Sequence, residues 1–229
     1  MAKDNTPNTE KNAVENLNDQ LTGIEQKVQN NQKTIMWATI VVTAIVCIVL
    51  FYFYGIRKPG IEAANNAIGQ ADITMALGND SLALDQYKQV AAEYGHDAGN
   101  RAALNAAILL YQQGKYQEAL EYLDDYKASE SIIGASSKAL EGDCYVNLKK
   151  YDEAIECFRE AAKISDENPY YTPLFLMKEA TVQRELKNYK AEAELYRTIS
   201  DKYPQYAMST QIDFDKYITR AEAQAAETK

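Results

Sequence analysis

The chain has 229 residues, a formal net charge of −9 and a pI of about 4.8. That balance leaves no basic surface of the kind that phosphate backbones demand, which excludes nucleic acid as a partner. Cys47, Cys144 and Cys157 make neither a disulfide framework nor a zinc pattern, and the last two read as buried free thiols unless an oxidising compartment pairs them.

Ten glycines and five prolines among abundant Ala, Glu, Tyr and Leu point to a helical protein. In chain order, residues 1–12, MAKDNTPNTEKN, read as a polar, disordered tail. Residues 13–33 are expected to form an amphipathic juxtamembrane helix. There Val14, Leu17, Leu21, Ile24 and Val28 recur at spacings of 3, 4, 3 and 4, an a/d seam that Ile35 continues. The seam covers about two heptads, fewer than a self-supporting coiled coil needs. It reads either as a helix lying on lipid or a partner, or as a self-association surface.

Residues 34–56 carry no charge over 23 positions. At about 1.5 Å rise per residue, roughly 20 residues already cross a hydrocarbon core. A cleaved leader has a shorter apolar core, of roughly 7–15 residues, followed by small residues. Here the run ends in Phe51, Tyr52, Phe53 and Tyr54, then Arg57 and Lys58, the order of an interfacial aromatic belt with basic anchors. The segment is therefore expected to be an uncleaved single-pass transmembrane helix.

Beyond it, residues 57–229 are long enough for one domain with its own core. Four turns recur in one register: LGND (77–80), QGKY (113–116), LKKY (148–151) and LKNY (186–189). The steps between them are 36, 35 and 38 residues, a period typical of stacked helical hairpins. Repeats are expected at about 64–97, 100–133, 135–168 and 173–206, with a cap over 207–226. The sharpest copy is ALEGDCYVNLKKYDEAIECFREAAKI, with Gly142, Tyr145, Tyr151, Ala154, Phe158 and Ala161 at repeat positions 8, 11, 17, 20, 24 and 27.

In these positions the sequence resembles the tetratricopeptide repeat family. Small residues at 8 and 20 let two antiparallel helices approach, and large ones at 11 and 24 fill the space beside them. The other copies carry Ala71, Ala83 and Tyr87; Ala107, Ala119 and Leu123; and Ala180, Glu192 and Tyr196 at positions 8, 20 and 24. Glu192 departs from the small residue expected, so a one-residue shift to Ala191 or Ala193 is anticipated there. The fold expected is all-α: a tetratricopeptide-like superhelix of about four hairpins plus a capping helix, preceded by a single transmembrane helix. Thr172 is expected as an N-cap with Pro173 at the first helical position, and EYGHDAGN as a loop. In the cap, Met208, Ile212 and Ile218 should cover the last repeat while Asp213, Asp215, Lys216 and Arg220 stay wet.

Chemistry is hard to find. His96 stands alone in its loop string, no phosphate-binding Gly loop appears, and acidic residues are scattered as on solvated helix faces. No catalytic residue, metal site or cofactor is expected, and the chain is read as a non-enzyme. The family resemblance implies protein or peptide binding in a concave groove lined by the first helices. Transferred position by position, the groove consists of Leu104, Asn105, Ile108, Tyr111, Leu140, Asp143, Asn147, Met177, Lys178, Thr181 and Arg184. Ile68 and Asp72 stand where some family members place a Lys/Asn clamp for a terminal carboxylate, so that clamp is not expected.

Basic residues flank the apolar run about equally, so charge hardly orients it. The layout of short tail, single anchor and C-terminal repeats resembles the ancillary subunit of the bacterial Sec translocon. That resemblance implies an inner-membrane protein with a cytoplasmic N-terminus, a periplasmic repeat domain and an adaptor or chaperone-like role near protein export. A subunit bracing a fixed envelope complex and a cytoplasm-facing recruiting platform are the alternatives.

Overall fold

The structure is a computed structural model that describes Thr22, residues 31–128 and residues 130–227. The expected tail and the seam residues Val14, Leu17, Leu21, Ile24 and Val28 lie outside the described residues. The chain divides into two compact units, Met1–Ile61 and Glu62–Lys229. Among the described residues the fold is all-helical.

In the first unit, α1 (Gln32–Phe51) runs into a π-helical stretch, Tyr52–Arg57, before α2 (Lys58–Ala76) begins. Every residue from 31 to 61 is exposed. The helical span Gln32–Ala76 contains a window of mean hydropathy 2.6, long and apolar enough to cross a membrane. Its hydroxyls are satisfied internally: Thr39 donates to the Ile35 carbonyl at 2.9 Å and Thr43 to the Thr39 carbonyl at 2.8 Å. Back-bonding of this kind removes the cost of placing a hydroxyl where no water reaches it.

The second unit begins within α2. It continues with α3 (Asp80–Glu93), α4 (His96–Gln112), α5 (Tyr116–Asp125), α6 (Ser131–Asn147), α7 (Tyr151–Ile164), α8 (Tyr171–Glu185) and α9 (Tyr189–Lys202), then α10 (Pro204–Thr210) and α11 (Phe214–Glu227). These make four helix–turn–helix hairpins, α2/α3, α4/α5, α6/α7 and α8/α9. All four turns close alike. The amides of Asn79, Lys115, Lys150 and Asn188 bond to the carbonyls of Thr74, Leu110, Tyr145 and Gln183. The residue before each of them is left-handed: Gly78 (φ 79°), Gly114 (φ 75°), Lys149 (φ 60°) and Lys187 (φ 60°). A helix ended by a left-handed residue satisfies its last carbonyls in this way, and glycine takes that conformation without strain.

The core follows the small/large pattern. Ala71, Ala83 and Tyr87 bury together with Ala107, Ala119 and Leu123 in one cluster that spans the first two hairpins. In the third hairpin the two helices pack closely at Gly142. A methyl group there would lie 2.7 Å from the Phe158 ring. Phe158 is among the most buried large side chains in the protein.

The fourth hairpin departs from expectation. Its turn bonds match the other three, so no one-residue shift occurs, and Glu192 keeps position 20 with 0% exposure. The carboxylate is held by Arg220 of α11, whose Nη2 donates to Oε1 at 2.6 Å. Arg220 is therefore not the wet residue the sequence suggested, and its guanidinium also lies 5.0 Å from the centre of the Tyr217 ring. A second ion pair, Arg197 with Glu222, joins the same two helices. Tyr196 meets Phe214 and Tyr217 at ring-centre distances of 6.0 and 5.4 Å. Covering falls to Phe214, Tyr217 and Ala221 with Ile212 and Ile218, while Met208 points into solvent. The break between α10 and α11 at Gln211, left-handed at φ 56°, explains Met208: it belongs to the shorter helix, before the chain turns back.

Two further starts differ from the sequence reading. α8 begins at Tyr171, so its N-cap position is Tyr170 rather than Thr172 and carries no side-chain cap; Asn168 Oδ1, in the preceding turn, accepts from the Tyr170 and Tyr171 amides at 3.0 and 3.1 Å. Thr172 is buried instead, its hydroxyl 2.6 Å from that of Ser165. The string YGHDAGN is mostly helix, since α4 starts at His96. Gly99 permits this early start, because a methyl group there would collide with the Tyr94 carbonyl oxygen.

Candidate functional site: the row of first helices

Each hairpin contributes its first helix, α2, α4, α6 and α8, to one side of the array, and side chains one repeat apart join neighbours. Asp72 on α2 accepts from three partners. The Tyr87 hydroxyl donates at 2.6 Å, Arg101 Nη2 at 3.4 Å and Asn105 Nδ2 at 3.5 Å. Between α4 and α6, the Asn147 side chain lies near the Tyr111 hydroxyl. Between α6 and α8, Lys178 Nζ donates to both carboxylate oxygens of Asp143, at 2.7 and 2.8 Å.

The structure brings most of the candidate residues into this row. Leu104, Tyr111 and Leu140 are partly buried and lean on the core of the first two hairpins. Ile108 is likewise half-exposed. Met177 packs on the last core cluster, and Lys178 lies 5.7 Å from the centre of the Phe158 ring. Asn147 and Thr181 are exposed, their side chains donating to the carbonyls of Asp143 and Met177 four residues back. Arg184 is half-buried near the Tyr196 hydroxyl. Tyr111 stacks at a tilt on Tyr116, ring centres 5.5 Å apart. Burial pushes its hydroxyl pKa above the ordinary value and the Asp143 charge adds to this, while the nearby Asn147 amide opposes. Tyr111 is thus a neutral phenol at physiological pH.

Asp72 and Arg101 were missing from the candidates, yet they tie the first hairpin into the row. The sequence did hold a signal. Asp72 to Arg101, Asp72 to Asn105 and Asp143 to Lys178 are 29, 33 and 35 residues apart, each close to one repeat period. Complementary groups at that separation face one another across stacked first helices.

Among the described residues no group of His, Cys, Asp and Glu is arranged to hold a metal ion. Cys144 and Cys157 are buried free thiols. Burial first, and the Asp143 and Glu141 charges next, push Cys144 up to about 12. Burial and Glu141 do the same for Cys157. Neither has the lowered pKa or access of a nucleophile.

Comparison with known proteins agrees with this architecture. Residues 68–131 and 136–168 each match a family model described as tetratricopeptide repeat. No curated protein sequence matches the chain significantly. Among solved structures, a double mutant of MamA is similar at 17% identity and a TM-score of 0.52, over 66% of this chain and 78% of that one. A further structure of MamA gives 16% and 0.52, over 72% and 93%. Pseudomonas aeruginosa pilF gives 16% and 0.51, over 81% and 90%. At such identities the likeness concerns the fold alone. The chain carries tetratricopeptide repeats, stacked in an all-helical array behind one long apolar helix.

Proposed function

We propose that this protein is a membrane-anchored, non-enzymatic scaffold or adaptor of the bacterial cell envelope. In this reading residues 34–56 tether it to the inner membrane, with the N-terminus cytoplasmic and the repeats periplasmic. The row of first helices forms a concave groove that docks partner proteins near sites of export, in a chaperone-like role.

One observation carries the docking role. Leu104, Ile108, Tyr111, Leu140 and Met177 stay half-exposed along adjacent helices, while the polar groups between them are already paired. A surface in that state offers apolar contact at little desolvation cost, with its polar atoms preorganised. Asn105 and Asn147 already donate within the protein, so recognition rests on the partner's apolar side chains more than on its backbone. Tyr111 supplies a rigid ring near the middle of the row, the type of residue that dominates binding.

The test is Tyr111→Ala combined with Met177→Ala, compared with wild type by quantitative cross-linking in membranes. Removing the anchor ring should weaken docking by about 2 kcal/mol, roughly 30-fold in affinity. The adduct set should shrink accordingly while the thermal melt stays within a few degrees. An unchanged adduct set in a folded variant refutes the groove.

A further inference from the structure

The second helices of the hairpins are not alike. α3, α7 and α9 each have 14 residues, whereas α5 has 10, about one turn fewer. α5 stops at Asp125, and the chain then crosses to α6 with the Lys127 backbone held at both its amide and its carbonyl by the Asn100 side chain, at 2.7 and 2.6 Å. A cleft of about 920 Å³ opens beside that stop, lined by α3, α5, the crossing segment and the first turns of α4, where Gly99 and Ala103 are small and buried. Among the charged residues that line it, Asp97, Glu121, Asp124 and Asp125 outnumber Lys88 and Lys127. Lys88 is already drawn to Glu118 at 3.3 Å, and Asp97 answers the N-terminal dipole of its own helix. Glu121, Asp124 and Asp125 are exposed and have no ion-pair partner among the described residues. They share one face at the C-terminal end of α5, where their mutual repulsion and the helix dipole both act against them. α7 and α9 carry a lysine in the last turn, Lys163 and Lys202, while α3 and α5 carry no basic residue there. Counted from the hairpin turn, the position of Lys163 is held by Ala92 and Ala128, and both line the cleft.

We infer that this cleft is a binding site for a linear aliphatic polyamine, whose ammonium groups supply the cations that α3 and α5 lack. The geometry selects the ligand class. The carboxylates are strung along a helix, and among the described residues no group of His, Cys, Asp and Glu is arranged to hold a metal ion, so a compact cation is disfavoured against an extended one. Glu121 stands three and four residues before Asp124 and Asp125, which sets their Cβ atoms about 5–6 Å apart. Amines joined by three or four methylenes match that spacing. Between the charges the lining is apolar, with Ala92, Ala128 and the half-buried rings of Tyr94 and Tyr122 offered to the methylenes. The volume lies in the range of small-molecule pockets.

The experiment is calorimetric titration of the purified full-length chain, in nonionic detergent at constant ionic strength, with spermidine. Spermidine should saturate a single site and bind about tenfold more tightly than magnesium ion. Asp124→Asn with Asp125→Asn should weaken it about tenfold. Asp152→Asn with Glu153→Gln removes the same charge from the exposed first turn of α7 and should change affinity by less than about twofold. Ala92→Lys places an ammonium where the third hairpin has Lys163. It should abolish spermidine binding and raise the melting temperature of the free chain, a readout that holds whether or not the aspartate variant folds well. Absence of saturable binding, equal losses in the two charge-matched pairs, magnesium binding as tight as spermidine's, or full affinity in Ala92→Lys would overturn the inference. So would tighter binding of a capped trilysine peptide of the same charge, which would assign the cleft to a basic protein segment instead.

Discussion

The third and fourth hairpins have the same turns and the same helix register, yet they close their helices in opposite ways. In α6/α7 the contact uses absence: Gly142 leaves room for the Phe158 ring and Ala154 sits beside it, fully buried. In α8/α9 the equivalent of Ala154 is Glu192, a carboxylate with no exposure, answered by an arginine from beyond the hairpin. Tyr196 then turns to Phe214 and Tyr217 for its packing. One hairpin is complete in itself. The other makes its last helix obligatory, because removing α11 would strand a charge in a low-dielectric site.

Arg220→Ala should break this contrast hardest. It leaves Glu192 buried without its counter-ion, an error that costs about 3–5 kcal/mol. Denaturant unfolding should show that loss, and α11 should become protease-sensitive. A loss below about 1 kcal/mol would mean that water reaches the carboxylate. Gly142→Ala strikes the self-contained hairpin. The added methyl meets a ring that has no free side, and overpacking of this kind costs about 1–3 kcal/mol. Glu192→Ala should be far milder, within about 1 kcal/mol, because it removes the buried charge and restores the residue used at 83, 119 and 154. In that background Arg220→Ala should cost almost nothing. The double-mutant cycle thus isolates the pair, and additive effects would contradict the coupling. Smallest of all, Lys149→Gly and Lys187→Gly should each raise stability by about 0.5 kcal/mol. Relief of left-handed strain narrowly exceeds the entropy lost at glycine, as Gly78 and Gly114 already illustrate.

The all-α repeat fold was legible because its determinants are local and periodic. Turn signals and small/large positions recur within a window of about 35 residues, and each hairpin repeats the information. What failed lay where one residue depends on another far along the chain. Glu192 reads as a misfit at position 20 until Arg220, 28 residues later, is seen against it. Met208 looked like a covering residue under an unbroken helix, and the left-handed Gln211 takes it elsewhere. Thr172 reads as an N-cap until the Ser165 hydroxyl, seven residues earlier, is seen against it inside a helix that starts at Tyr171. The candidate groove was legible only by analogy of position. That analogy named Asp143 and Lys178 but not that they bind each other. Asp72 entered only as a missing clamp, although it holds three donors.

The proposed groove stands or falls on which face of the array meets other proteins. A photoreactive amino acid placed at Asn147 or Thr181, both exposed on first helices, should yield protein adducts in intact membranes. The same group at Glu121 or Glu156, exposed on second helices, should yield few. Tyr111→Ala should remove the first set. Adducts from Glu121 and Glu156 alone, or adducts from Asn147 and Thr181 that persist without the tyrosine ring, would contradict docking in the row of first helices.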